Sequence, residues 1–374
     1  MTAWIFALGV AGQGVLGWLL AEDDFGAFAI AIGLGSLVYA LRDGRVGSYL
    51  LERGPYASPN VPANAVWYSL AASVLAALSL ALTAPVGGWV FDEPAVRSVL
   101  LISAGAVPLG FFVPIANGIL QNHGRIRTAE MFNVGAIVVH HSLVALFAAL
   151  GLGAVSFVLP LLITNPLFSL AGWLAVRGLR VPFGRSSYRG IIRIGRRSHS
   201  ILVALAALGL LRHGHLAALG LGASIEVVGF YYFAYQLVMG SALWLTSPVR
   251  WVLVPTFASM HGDQWRRRRA ALDAFLVGSL LIGTVPLLLG ALARPLEAVV
   301  WRGRWEEAVP AIQVFGVVAA LEVLVVVALM LFESSAPIRR RIELVGGRGI
   351  GLVLVMALAG WLAPDGSPGA IAVA

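Results

Sequence analysis

The chain has 374 residues, 59% of them hydrophobic and only 12% charged, with 26 basic residues against 18 acidic ones and a formal net charge of +8. Soluble domains carry about a quarter of their residues charged, so this balance, with a mean hydropathy of +0.88, excludes a water-soluble domain and requires many apolar spans joined by brief loops. The absence of cysteine excludes disulfides and thiolate metal sites.

A helix needs roughly 20 apolar residues to cross the hydrocarbon layer. In chain order the apolar runs fall at 3–20, 27–41, 65–90, 99–120, 131–150 and 155–176. An Arg-rich connection follows, and then runs at 201–222, 227–253, 274–293, 309–332 and 344–362. These are the predicted spans. Residues Met1 to Leu20 lack the basic n-region of a secretory signal and read as the first of them. The tail from Gly366 turns apolar again as the chain stops, which reads as the opening of a twelfth.

All basic side chains other than histidine are arginine, and their distribution sets orientation. Odd-numbered connections carry Glu22, Asp23 and Asp24, then Asp92, Glu93 and Arg97, then the uncharged Gly151–Gly153, then Glu226, the stretch Glu297 to Glu307, and Asp365. Even-numbered connections carry Arg42, Arg45 and Arg53, then Arg125 and Arg127, then the arginines between Arg177 and Arg197. Arg266–Arg269 and Arg339–Arg341 continue the pattern. Basic loops face the cytoplasm, so the even loops and the N-terminus are expected there, and the basic surplus implies no nucleic-acid partner. One loop is mixed: Arg302 and Arg304 stand among Glu297, Glu306 and Glu307.

The Arg-rich connection is a natural seam. It predicts an N-terminal six-helix bundle over 1–176, a cytoplasmic connection over 177–200, and a C-terminal bundle over 201–374 of five helices plus the start of a sixth. A weak internal echo agrees with two related halves: Gly26-x-Phe28-x-x-Ala31 opens the second span and Gly229-x-Tyr231-x-x-Ala234 the eighth. Parallel repeats of this kind mark rocking transporters with a site between the halves. The expected fold class is therefore all-α and polytopic, with about 11–12 spans.

Five strings carry more specific information. They are Leu19 to Phe28 (LLAEDDFGAF), Gly44 to Arg53 (GRVGSYLLER), Val228 to Ala234 (VGFYYFA), Val254 to Ala258 (VPTFA), and Trp301 to Pro310 (WRGRWEEAVP). In this order they resemble the polysaccharide biosynthesis (Wzx-type) flippases of the multidrug/oligosaccharidyl-lipid/polysaccharide exporter superfamily. The resemblance implies two six-helix bundles, alternating access, and polyprenyl-diphosphate-linked oligosaccharide as cargo. The chain departs from the pattern in its seventh span, where relatives often place Asn or Asp and this sequence has Arg212, His213 and His215.

Such cargo needs cationic groups for its diphosphate, and arginine holds phosphate oxygens bidentately. An ionisable residue inside the membrane is costly and is a functional candidate by default. Arg42 and Arg45 read either as anchors at the cytoplasmic end of the second span or as a cationic mouth. Arg212 lies mid-span, as a cargo contact or as the partner of an acid such as Glu322. Arg250 closes the eighth span, as anchor or cavity lining. Glu322 and His215 are candidates for ion coupling, with interhelical hydrogen bonding as the plainer role. Gln13, Asn117, Asn133, Asn165, Gln236 and Gln313 read as helix–helix hydrogen bonders, with contact to sugar as the rarer role. No cofactor, metal cluster or catalytic constellation is expected.

The reading is thus a non-enzymatic flippase, with membrane lipids, a polymerase and glycosyltransferases as its surroundings. The rivals are a cation-coupled multidrug antiporter or a peptidoglycan-precursor flippase of the same superfamily, and, in another class, a membrane polysaccharide polymerase.

Overall fold

The computed structural model describes residues 12–43, 46–54, 58–260, 262–334, 338–362 and 368–373. Among them every regular element is helical, as hydrocarbon demands of a backbone that must satisfy its own hydrogen bonds. In chain order these are α1 (12–19), α2 (Glu22–Asp43), α3 (Val46–Arg53), α4 (Asn60–Val90), α5 (Pro94–Ala106) and α6 (Val113–Asn122). Next come α7 (Ile126–Ala149), α8 (Leu161–Arg177), α9 (Tyr188–Gly209), α10 (His215–Leu219), α11 (Ile225–Tyr235) and α12 (Ser241–Ser259). The last are α13 (Gln264–Gly278), α14 (Thr284–Ala291), α15 (Ala293–Leu296), α16 (Val309–Glu333), α17 (Ile338–Leu362) and α18 (Pro368–Val373).

Among the described residues eight helical stretches are long and apolar enough to cross a bilayer: Asn60–Val90, Pro94–Asn122, Ile126–Ala149, Gly153–Arg177, Leu202–Leu219, Gln264–Ala291, Glu306–Phe332 and Ile342–Leu362. They coincide with the third to seventh and ninth to eleventh predicted spans. The second and eighth are helical too, in α2 and in α11 to α12. Residues 1–11 of the first, and Gly366 at the opening of the expected twelfth, lie outside the described residues. Helix α4 is the longest, at 31 residues, and turns Trp67, Leu82 and Trp89 outward.

Caps at the helix starts follow local chemistry. The Glu93 carboxylate accepts from the Ala95 N–H at 3.1 Å with Pro94 at the first helical position. Asp263 accepts from Arg266 N at 2.9 Å, and Ser187 and Ser224 cap α9 and α11. Each satisfies an orphan N–H of the first turn.

Between α5 and α6 the helix tightens into a 3-10 turn, Val107–Gly110, holding Pro108. Proline has no N–H to donate and loosens the ladder around it. Three carbonyls at the break are met by side chains from neighbouring helices. Asn165 Nδ2 donates to Ala106 O at 2.8 Å, Ser169 Oγ to Leu109 O at 2.7 Å, and Ser69 Oγ to Phe111 O at 2.7 Å. Nearby, Asn117 Nδ2 donates to Asn133 Oδ1 at 2.9 Å, tying α6 to α7. The asparagines thus serve as the interhelical hydrogen bonders the sequence predicts.

Contacts divide the chain into two compact units. One holds Met1–Gly26, Leu219–Leu344 and Leu354–Ala374; the other holds Ala27–Ala218 and Val345–Val353. The connection 177–200 falls inside the second unit. The physical reason for the first segment's membership is direct: α1 is hydrogen-bonded to the segment 301–305.

Candidate functional site

The mid-span cations lie on a local irregularity. Between α9 and α10 the chain makes a wide π turn, Leu210–Gly214. Such a turn carries one extra residue and shifts the faces of the helix that follows; it recurs at functional positions. Here it leaves Arg212 exposed, His213 half-buried and His215 fully buried. Glycines let neighbouring backbones press against it. A side chain at Gly33 of α2 would meet Ala217 N at 2.7 Å and His213 O at 2.9 Å, and one at Gly209 would meet Ser36 O at 2.6 Å. From α17, Gly349 approaches Leu211 N at 3.0 Å. The turn is therefore clamped from two sides while Arg212 projects outward.

Glu322 is half-buried in α16, in the other unit. Arg212 lies in this turn and His215 opens α10 directly after it. The side chains of Arg42, Arg45 and Arg250 lie outside the described residues. Three further π turns, Gln236–Gly240, Ser279–Gly283 and Glu297–Trp301, interrupt the later helices; none of them is marked in the hydrophobic pattern.

In the first unit, three of the five strings that carry the resemblance converge. Phe25, Phe233 and Trp305, all fully buried, form one aromatic core. Phe233 stacks on Trp305 at 3.9 Å between centroids, and Phe25 meets their edges at 5.6 and 5.2 Å. Each such pair adds about 0.5–1.5 kcal/mol beyond area burial. Beside it, α2 and α11 cross with no side chain between them. A Cβ on Gly26 would collide with the Ile225 carbonyl, and one on Gly229 with the Glu22 carbonyl. The interval from Glu22 to Gly26 equals that from Ile225 to Gly229, so the two contacts are reciprocal. Gly26 and Gly229 also open the two copies of the internal echo.

The segment 301–305 closes over the C-terminal end of α1. Trp301 Nε1 donates to Gly14 O at 3.1 Å and Trp305 Nε1 to Gly17 O at 2.8 Å. Arg304 reaches Trp18 O at 2.6 Å and Leu20 O at 2.9 Å. A helix ends with unsatisfied carbonyls and a partial negative charge; here the Trp305 indole and the Arg304 guanidinium supply donors, while the Trp301 indole bonds a carbonyl one turn earlier. Arg302, in the left-handed region at φ 56°, lies over the Trp18 ring at 5.6 Å.

Next to this clasp is a cavity of about 730 Å³ lined by Arg294, Glu297, Arg302 and Glu306, with Val309 and Pro310 at the start of α16. Glu297 is buried, and its Oε1 accepts from Trp305 N at 3.0 Å. Sequence reasoning did not identify this place as a site. Its only trace was the mixture of charges in a loop of otherwise acidic class.

Residues 15–310 match the family described as polysaccharide biosynthesis protein. The succinoglycan biosynthesis transport protein ExoT of Rhizobium meliloti (strain 1021) is 23% identical over 296 residues, covering 79% of this chain and 59% of the relative. The chain thus spans about 59% of the length of the curated relative it matches. Among solved structures, an inward-facing multidrug resistance MATE family transporter of the MOP superfamily superposes with a TM-score of 0.72 at 17% identity. That match covers 98% of this chain and 94% of the other. A MATE crystal structure in complex with MaD3S gives 0.56 at 16% identity over 100% and 94%. These likenesses establish the MATE-type fold.

Proposed function

The chain belongs to the polysaccharide biosynthesis protein family, and on that premise we propose that it is an exporter moving polyprenyl-diphosphate-linked oligosaccharide units across the bacterial cytoplasmic membrane. The family match over most of the chain is the observation that carries this reading. The fold supports a transporter, and the exposed arginine on a clamped mid-span turn supports an anionic cargo. In this scheme two helical bundles alternate access to the two leaflets, with the N-terminus in the cytoplasm. Arg212 contacts the diphosphate, together with Arg42, Arg45 and Arg250 lining the path, and Glu322 and His215 couple transport to an ion. Phosphate held in a planar guanidinium fork is the physical basis of the cationic assignment.

The test is depletion of the protein in its host, with the leaflet distribution of lipid-linked oligosaccharide measured. Accumulation on the cytoplasmic side with loss of surface polymer is expected. Unchanged intermediates would exclude the proposal, and single units gathering on the outer leaflet would indicate a polymerase instead. The second reading, a cation-coupled drug antiporter, is favoured by the fold likeness to multidrug transporters. Under that reading depletion sensitises the host to cationic drugs and leaves the lipid intermediates unchanged.

A further inference from the structure

We propose that the cavity lined by Arg294, Glu297, Arg302 and Glu306 binds the headgroup of a phospholipid with both a phosphate and a primary ammonium, from the leaflet opposite the Arg-rich loops. Two guanidiniums and two carboxylates line one space of about 730 Å³, a volume typical of small-molecule sites. Among the described residues none of the four pairs with another of them, so their charges remain available to a ligand. Glu297 forms the buried end of the site, held there by Trp305 N. Arg302 is held by its left-handed backbone and its contact with the Trp18 ring.

The charge count selects the ligand. Two positive and two negative groups match a zwitterion: the guanidinium forks take phosphate oxygens, and the carboxylates accept from an ammonium. A purely anionic headgroup would leave two carboxylates unpaired and repelling, a penalty that discriminates between ligands. Among the described residues no aromatic ring lines the cavity, so a sugar would find no stacking face there. Leu288, Leu292 and Val299, on the neighbouring turns, are exposed apolar side chains, and acyl chains attached to the headgroup would cover them. This inference is independent of the cargo.

The purified chain in mild detergent is offered equal amounts of phosphatidylethanolamine and phosphatidylglycerol with the same acyl chains, and bound lipid is read by native mass spectrometry. Preferential retention of phosphatidylethanolamine is expected. It should fall about tenfold in Arg294→Gln and in Glu306→Gln, as loss of one charged contact implies. Both side chains are exposed, so unaltered gel-filtration profiles are expected. Should either variant misfold, Arg302→Asn, which tolerates the left-handed backbone, reads the same site. Equal retention of the two lipids, or undiminished retention in the variants, would overturn the proposal. So would displacement at equal concentration by glycerophosphoethanolamine, which has the headgroup without chains and would identify a soluble ligand as the occupant.

Discussion

Gly229 lies so close to the Glu22 carbonyl that no side chain fits between α11 and α2, and Gly26 stands in the same relation to Ile225. Backbones that approach this closely gain dispersion contacts along the whole crossing, the main source of helix association where lipid removes the hydrophobic contrast. Overpacking a tight site costs about 1–3 kcal/mol, and more where backbone blocks relaxation. Gly229→Leu and Gly26→Leu are therefore expected to lower the thermal midpoint in detergent sharply and to broaden the gel-filtration peak. Midpoints within a degree or two of wild type would show that the crossing is loose.

Arg304→Ala removes the two guanidinium donors from the end of α1 and leaves the Trp305 indole in place. Hydrogen bonds to charged groups contribute about 1.5–3 kcal/mol; because Arg304 is exposed, solvent screening brings the expected loss to about 1 kcal/mol. Arg304→Lys recovers only part, since an ammonium lacks the fork that spans two carbonyls. Faster amide exchange over 17–21, with the rest of the chain unchanged, is the expected signature.

Asn165→Leu leaves the Ala106 carbonyl without its donor at the 3-10 break. Polar contacts between membrane helices average about 0.6 kcal/mol, and an unsatisfied buried group costs about 1–3 kcal/mol. A moderate fall in the thermal midpoint is expected, with a smaller one for Ser169→Ala. The double variant should be less than additive, because both side chains serve the same break.

Arg212→Ala is expected to insert and express normally while transport falls about tenfold or more, the loss of one charged phosphate contact. Surface-polymer complementation measures it. Full complementation by the alanine variant would make Arg212 dispensable.

A reporter active only outside the cytoplasm should stay silent when fused within 178–187 and become active at Gly303. The opposite pattern would invert the proposed orientation.

The spans were legible because hydrophobic length is a property of the chain alone: the fourth predicted span lies wholly within Pro94–Asn122. The glycines Gly26 and Gly229 were legible as matched residues, though their reciprocal contacts with Ile225 and Glu22 depend on two helices distant in sequence. What stayed hidden were departures from regular helix. Arg212, His213 and His215 stood out in the seventh span by their charge, but a π turn adds a single residue without changing the span's length, so the exposure of Arg212 and the burial of His215 were not readable from the pattern. The donors for the carbonyls at Val107–Gly110 come from Ser69, Asn165 and Ser169, far along the chain. The string Trp301 to Pro310 was visible as a resemblance, but its partners at Gly14, Gly17, Trp18 and Leu20 were not.

Helix α4 carries its own gauge of the membrane. At about 1.5 Å per residue its 31 residues run to about 46 Å, well beyond a hydrocarbon layer of about 30 Å. Its two outward tryptophans, Trp67 and Trp89, are about 33 Å apart along the helix, close to the separation of the two interfaces where indoles settle. In a thinner bilayer both rings cannot stay at their preferred depth unless the helix leans, and in a thicker one the lipid must compress. Acyl-chain length therefore becomes a variable acting on the protein through one helix. Quenching of these two indoles by brominated lipids of graded length would locate the thickness to which the chain is matched.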